Sequence, residues 1–365
     1  MSRKNIINKL ISGVLINTMV LGISNQVFEN FKIFASSGNQ EERILGESEK
    51  RIQGDEDYYN AKELNENDID IDNIGLEYFL DGEEATIVNC VDRKIKVVTI
   101  PSYIKKGGKA YKVTKIGDYA FSGCIWLTGD LTIPSNVKEI GDCAFCRCNS
   151  LTSVKISEGV EEIGRYAFYR CNKLTGELTI PGSVTYIGDN AFEGCSGLTS
   201  VEIPGSVTKI SPYVFQDCSG LTGELKIPGS VTEIGEEAFS CCSGLTGKLT
   251  IPEGVTKIGD RAFECCSRLT GVEIPGSVTY IGANAFYGCS ELTGNLTIPG
   301  SVTEIGESAF YDCRGLIGEL KIPASVKKIG KYTFSCCSGL TKIIVPEDIS
   351  IGEETFPTGV EIEKY

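Results

Sequence analysis

One short text returns ten times in this chain, and no other feature limits its folding more. Its clearest copy runs from Ile234 through Phe239, Cys242 and Leu245 to Val255. The leading Ile recurs at 116, 140, 163, 187, 210, 234, 258, 281, 305 and 329, always 23 or 24 residues apart. Phe follows five residues after each Ile, Cys eight after and Leu eleven after. A unit this short cannot bury its own apolar face, so the copies must stack and share one continuous core.

The period falls in the leucine-rich-repeat range. The expected fold class is an α/β repeat solenoid of about ten repeats, with short parallel strands and a cap at each end. Leu178-Thr-Ile-Pro181 and Val201-Glu-Ile-Pro204 alternate apolar and polar, which predicts a strand with one buried face. Pro lacks an N–H and closes that strand, leading into a Pro-Gly-Ser turn. A second extended piece follows at Val184-Thr-Tyr-Ile187, and Asp189-Asn-Ala-Phe192 is expected to begin a short helix or 3₁₀ turn. Stacked at ~4.8 Å per strand, ten rungs would span roughly 50 Å. Leu127 and Leu131 are four apart, whereas Leu151 and Val154 are three apart. The extra residue therefore belongs in a turn just before a strand, where insertion is tolerated.

The flanks divide the chain further. Residues 1–35 read as a secretory signal: Arg3, Lys4 and Lys9 precede a mostly apolar run from Leu10 to Ile23 that is short for a membrane span, and Ala35-Ser36 is the expected cut. No stable transmembrane anchor is expected. Of the net charge of −14, residues 36–84 carry −12, from 16 acidic and 4 basic residues. The acidic stretch 36–73 reads as a disordered linker, because so little apolar surface cannot order it. Asp68-Ile-Asp-Ile-Asp72 within it lacks the Gly and Glu of a calcium loop, with Asn73 and Phe79 in their places. Residues 74–113 read as an N-terminal cap containing a hairpin around Asp81-Gly82, 114–350 as the repeats, and 351–365 as a C-terminal cap. The repeats carry mixed charge and no basic stripe, which argues against nucleic acid as a partner.

The chain has no His, which removes His-activated nucleophiles and imidazole metal ligation. Paired acids such as Glu161-Glu162 lie on outward repeat positions, so no catalytic residue, metal site or cofactor is expected. The Cys column suits buried free thiols better than bonds, since neighbours on parallel strands hold their Cβ atoms at the strand spacing. Cys241 and Cys265, one column on neighbouring rungs, are the candidate disulfide. Cys143-Ala-Phe-Cys146 has the spacing of a redox or metal motif but no second pair.

What remains is surface. The residue before each repeat Ile varies, and Tyr186, Lys209, Glu233, Lys257, Tyr280 and Glu304 form the candidate ligand surface. Such variation in a near-copied repeat can encode binding or reflect drift on a solvated face. Thr185, Thr208, Thr232, Thr256, Thr279 and Thr303 form a second outward column, whose ordinary role is β propensity and hydrogen bonding. Ice binding is the remote alternative for such a column.

The run Ile-Gly-x-x-Ala-Phe-x-x-Cys-x-x-Leu-Thr, followed by Ile-Pro-x-Ser-Val-x-x-Ile, resembles the BspA-like leucine-rich repeat family over about residues 98–356. The resemblance implies a solenoid on secreted or surface bacterial proteins, some of which adhere to host matrix proteins such as fibronectin or fibrinogen. It carries over no functional residue, because the family is recognised by its core. The function expected is a secreted or cell-surface module that binds an extracellular protein or glycan. The alternatives are a self-assembling extracellular protein and, remotely, an enzyme.

Overall fold

The computed structural model describes residues 69–71 and 75–365. The expected signal segment lies outside the described residues, as does the acidic stretch apart from Ile69–Ile71. Strand β1 (Ile69–Ile71) pairs antiparallel with β2 (Leu76–Asp81), which forms a hairpin with β3 (Glu84–Cys90). A second hairpin, β4 (Tyr103–Lys106) and β5 (Lys109–Ile116), follows, and β3 pairs with β5 in parallel. From β5 onward the rungs add in parallel with one break in this row, giving about eleven turns from Ile116 to Ile351.

Each turn supplies two strand rows. The first is a two-residue strand ending in the repeat Ile, as in Glu139–Ile140, Glu162–Ile163 and Tyr186–Ile187. The second is the Leu-Thr-Ile row, as in Gly176–Thr179 paired with Leu198–Glu202. Between them the repeat Ile, Ala, Phe, Cys and Leu columns are almost wholly buried in one core. Ten Phe rings from Phe121 to Phe334 form a continuous stack, with centroids 4.9–5.7 Å apart and nearly parallel planes.

The inserted residue of each 24-residue repeat is a glycine. Gly129, Gly176, Gly223, Gly247, Gly294 and Gly318 all have φ between +76 and +83°. At Gly176 the pairing shifts register, so that Leu198 and then Ser200 oppose consecutive residues. This is a bulge that absorbs one residue without turning the following strand over.

No helix or 3₁₀ segment forms among the described residues, which corrects the expectation at Asp189–Phe192 and its equivalents. The amides there alternate between two partners. Ala191, Glu193 and Cys195 donate to Gly188, Asn190 and Phe192 three residues back, while Asn190, Phe192 and Gly194 donate to Pro212, Val214 and Gln216 of the next rung. The two positions three and seven after the Ile adopt left-handed backbone, and all eighteen non-glycine residues with positive φ sit in these two columns. A right-handed helix cannot pass through them. Buried columns at Ile, +4, +8 and +11 imitate helical spacing, but a zigzag of tight turns bonded to its neighbours produces the same pattern.

Gly123, Gly194 and Gly288 already occupy the +7 column, where Arg147 stands exposed with φ +60°. Arg147→Gly is expected to stabilise the chain by about 1 kcal/mol by removing left-handed strain. Urea unfolding of the two proteins checks it, and no shift in midpoint would count against the strain.

The residue after each repeat Ile is Gly in every turn but one. A Cβ at these positions would meet the backbone of the preceding rung, for example Gly235 C at 2.5 Å from Gly259. The exception is Ser211, followed by Pro212. There the sheet divides: one ends at Tyr186–Ile187 and the next begins at Lys209–Ile210. Elsewhere a Gly N–H donates to the preceding repeat Ile carbonyl at 2.7–3.0 Å; at this joint the Ser211 hydroxyl bonds to Ile187 O. The side chain Ser211 needs room that the other rungs do not have, and the strand row opens to give it.

Candidate binding face

The residues that precede each repeat Ile point outward in one row. Register places Lys209, Glu233, Lys257, Tyr280, Glu304 and Lys328 on consecutive rungs. Tyr186 pairs with Glu162 on the other side of the Ser211 joint and is 46% exposed. The structure therefore brings five of the six candidate residues into one unbroken ladder and sets Tyr186 at the end of the neighbouring one.

Much of this ladder binds itself. Lys209 meets Glu233 at 2.7 Å, Lys257 approaches Glu233 at 4.0 Å, and Lys328 meets Glu304 at 2.6 Å. Lys257 Nζ lies 5.9 Å from the Tyr280 ring centre, and the Tyr280 hydroxyl donates to Asp260 Oδ1 at 3.2 Å. Exposed pairs of this kind contribute at most ~1 kcal/mol each. Their main effect is to present a charge-balanced face. Partial burial, with the Asp260 carboxylate beside it, pushes the Tyr280 phenol up to about 12. Burial and then Asp189 raise Tyr186 likewise, so both rings present a neutral hydroxyl.

The Thr column beside this ladder is engaged with backbone. The hydroxyls of Thr232, Thr256, Thr279 and Thr303 each donate to the carbonyl of the Thr one rung earlier, at 3.1–3.3 Å. These bonds reinforce the stacking. In the other strand row Thr179 opposes Glu202, Thr250 opposes Glu273, and Lys248 pairs with Glu273 at 2.8 Å.

The structure holds no S–S bond among the sixteen cysteines. From Cys148 to Cys337 each buried column Cys donates its S–H to the Phe carbonyl of the preceding rung, at 3.0–3.2 Å. This explains Cys rather than Ala in the column: a small apolar side chain with one weak donor. Cys241 and Cys265 are half-buried neighbours outside that column, in side-chain contact with each other. No group of three His, Cys, Asp or Glu residues is arranged to hold a metal among the described residues.

A belt of buried polar groups at the middle of the stack was not read from the sequence. Asn190, Glu193, Ser211, Gln216 and Ser240 are each less than 9% exposed. Asn190 donates to Glu193, and Gln216 Nε2 donates to Glu237 Oε2 at 2.6 Å. The available signal is an acid, at Glu193 and Glu264, in a column six after the Ile that otherwise holds uncharged residues such as Cys146, Tyr169 and Ser240. Burial pushes the Glu193 carboxyl up to about 7, with Asp217 and Glu237 adding to the rise and Asn190 and Arg170 opposing it.

This sets a pH dependence. Glu193 titrates at its ordinary value of 4.5 in the unfolded chain and near 7 when folded. Between these values the folded state keeps a proton that the unfolded state has lost. The stabilisation is full below about pH 4.5 and is lost as pH rises through 7, a change of about 3 kcal/mol. Unfolding at pH 5 and pH 8 is expected to show the drop, and Glu193→Gln to flatten it. An unchanged slope in that variant would assign the effect elsewhere.

Together these features define a leucine-rich repeat solenoid. The BspA type leucine rich repeat region matches residues 103–222, 222–316 and 256–365, and the chain belongs to that family. A leucine-rich repeat protein from Bacteroides ovatus is similar at 26% identity and a TM-score of 0.55, covering 81% of this chain and 90% of that one. The pneumococcal vaccine antigen PcpA shares the fold at 21% identity and a TM-score of 0.53, covering 81% of this chain and 88% of that one. None of the curated proteins compared matches the chain. No helix among the described residues is long and apolar enough to cross a membrane.

Proposed function

We propose that the chain is a secreted or cell-surface binding module that engages an extracellular protein or glycan, host matrix proteins among the candidates, without a cofactor. The observation that carries this reading is the contrast between columns. The inward Ile, Phe, Cys and Leu positions repeat without change, while the outward ladder through Lys209, Glu233, Lys257, Tyr280 and Glu304 changes at almost every rung. A charge-balanced face with Tyr hydroxyls suits short-range contact more than long-range attraction of a charged polymer. Membership of a family found on bacterial surfaces supports the location.

The test is binding of the purified chain to immobilised fibronectin, fibrinogen and a glycan panel at low and physiological salt. Saturable binding that survives physiological salt and weakens at least tenfold in Tyr280→Ala would support the reading. Binding that is unaffected by substitutions along the ladder would move the site to another face. A second reading, self-association, is favoured by the last strand, Glu361–Lys364, whose residues are all exposed and include Ile362 at 50%. Concentration-dependent light scattering without added partner, abolished by Ile362→Lys, would favour it.

A further inference from the structure

The cysteines occupy two environments. In the column from Cys148 to Cys337 each S–H is committed to a Phe carbonyl of the rung before, so consecutive thiols do not turn toward one another.

Three pairs stand outside this arrangement. Cys124 is the first thiol of the column, and the turn beneath it is the cap, where Asp92 rather than Phe follows Ile87 by five residues. Strand β3 brings Cys90 against it, both side chains closed to solvent; the Cys90 S–H donates within the cap, to Asp92 O at 3.4 Å, and not to a Phe of another rung. Cys90 N–H donates to Ala120 O at 2.8 Å, which fixes the cap strand against the first turn. Arg93 spans the junction, donating to Ser122 O at 2.8 Å, to Asn89 Oδ1 at 2.6 Å and to Cys124 Sγ at 3.8 Å. Cys143 and Cys146 share one tight turn, closed by Cys146 N–H to Cys143 O at 3.0 Å, and their thiols touch. Cys241 and Cys265 sit in the left-handed +7 column on adjacent rungs, with φ +59 and +56°, and their thiols also touch.

We propose that Cys90 with Cys124, Cys143 with Cys146, and Cys241 with Cys265 close into three disulfides, while the other ten cysteines remain thiols. In the folded chain each pair holds one thiol that its partner lowers. The contact with Cys90, and then the Arg93 guanidinium, lower the Cys124 thiol. The contact with Cys143, and then Arg147, do the same for Cys146.

The oxidant is a low-molecular-weight or protein disulfide. The Cys124 thiolate attacks one of its sulfurs and expels a thiolate, giving a mixed disulfide. Cys90 then loses its proton and attacks the Cys124 sulfur, expelling the second thiolate. Two protein thiols become one S–S bond, and the two electrons and two protons leave on two molecules of thiol. Because Cys90 and Cys124 are closed off in the folded chain, this exchange takes place before the cap seats. The bond then fastens the cap to the first turn, and the Cys241–Cys265 bond fastens two rungs beside the buried polar belt.

The test refolds the full chain in a mixture of glutathione and glutathione disulfide, then counts thiols by alkylation before and after unfolding and maps the bonds by peptide mass. Ten thiols are expected after unfolding. Cys336, the one exposed cysteine, should react in the folded protein, and the nine column thiols from Cys148 to Cys337 only when it unfolds. Cys90→Ala should raise the final count by one, releasing Cys124 and leaving the other two bonds intact. Sixteen thiols after unfolding, or any bond between column cysteines such as Cys148 and Cys171, would overturn the proposal. The outcome does not depend on whether the outward ladder binds a partner.

Discussion

Phe239→Ala is expected to lower the stability of the chain by about 4 kcal/mol. The ring is fully buried, 5.5 Å from Phe215 and 5.6 Å from Phe263, so its removal cuts the stack on both sides. Part of the cost is lost transfer of the ring from water; part is the cavity that the strand rows above and below cannot collapse to fill. Each turn contacts only its neighbours, so the loss also weakens the coupling between the halves of the stack. Urea unfolding followed by fluorescence and circular dichroism should show a lower midpoint and a broader or two-step transition. A variant within 1 kcal/mol of the parent would mean that the Phe column is not the main source of coupling.

Gly259→Ala should cost about 3 kcal/mol although it adds a single methyl group. The new Cβ would lie 2.5 Å from Gly235 C and 2.7 Å from Glu236 N, atoms of backbone that no rotamer change can move. Relief requires the two rungs to part, which strains the Gly259 N–H bond to Ile234 O at 2.9 Å. Hydrogen exchange is the sharper readout. Protection should fall at Gly259 and along Glu233–Ile234 and Lys257–Ile258, while distant turns keep theirs. Gly276→Ala, at a position where a Cβ meets nothing within 4 Å, serves as the control. Equal effects at the two sites would remove the steric explanation.

These two residue types show how much of the fold could be read from the chain alone. The Phe, Cys and Leu columns gave the stacking, the core and the phase of the inserted residue, because burial leaves a periodic trace. The conformation of the segment between Ile and Leu was misjudged for a physical reason. Ala and Phe four and five after the Ile satisfy helical spacing, and neither reveals that the positions at +3 and +7 are left-handed. The varied occupants of those positions, from Tyr166 to Asp217 and Cys241, tolerate the strain without announcing it. The outward ladder was legible as variation. Its pairing was not, since Lys257 contacting both Glu233 and Tyr280 depends on a register that only the stacked chain defines. The burial of Glu193 is not legible, because an acid in a repeat column, like Glu264 three rungs on, looks solvated until its neighbours are placed around it.

The open joint at Ser211 bears on the binding role proposed above. Across it the Phe192 and Phe215 rings remain stacked at 5.7 Å and the tight turns stay bonded, but the strand row is interrupted. Under a pull along the stack, the row on either side shares the load among several strand pairs, whereas this joint relies on aromatic contact, turn bonds and side-chain bonds such as Ser211 to Ile187 O. Opening there would divide the array into a short block that carries the cap and a longer one that carries Lys209 to Glu304. A tether that lengthens at one weak joint before its grip fails keeps the gripping face folded for longer than a uniform stack would.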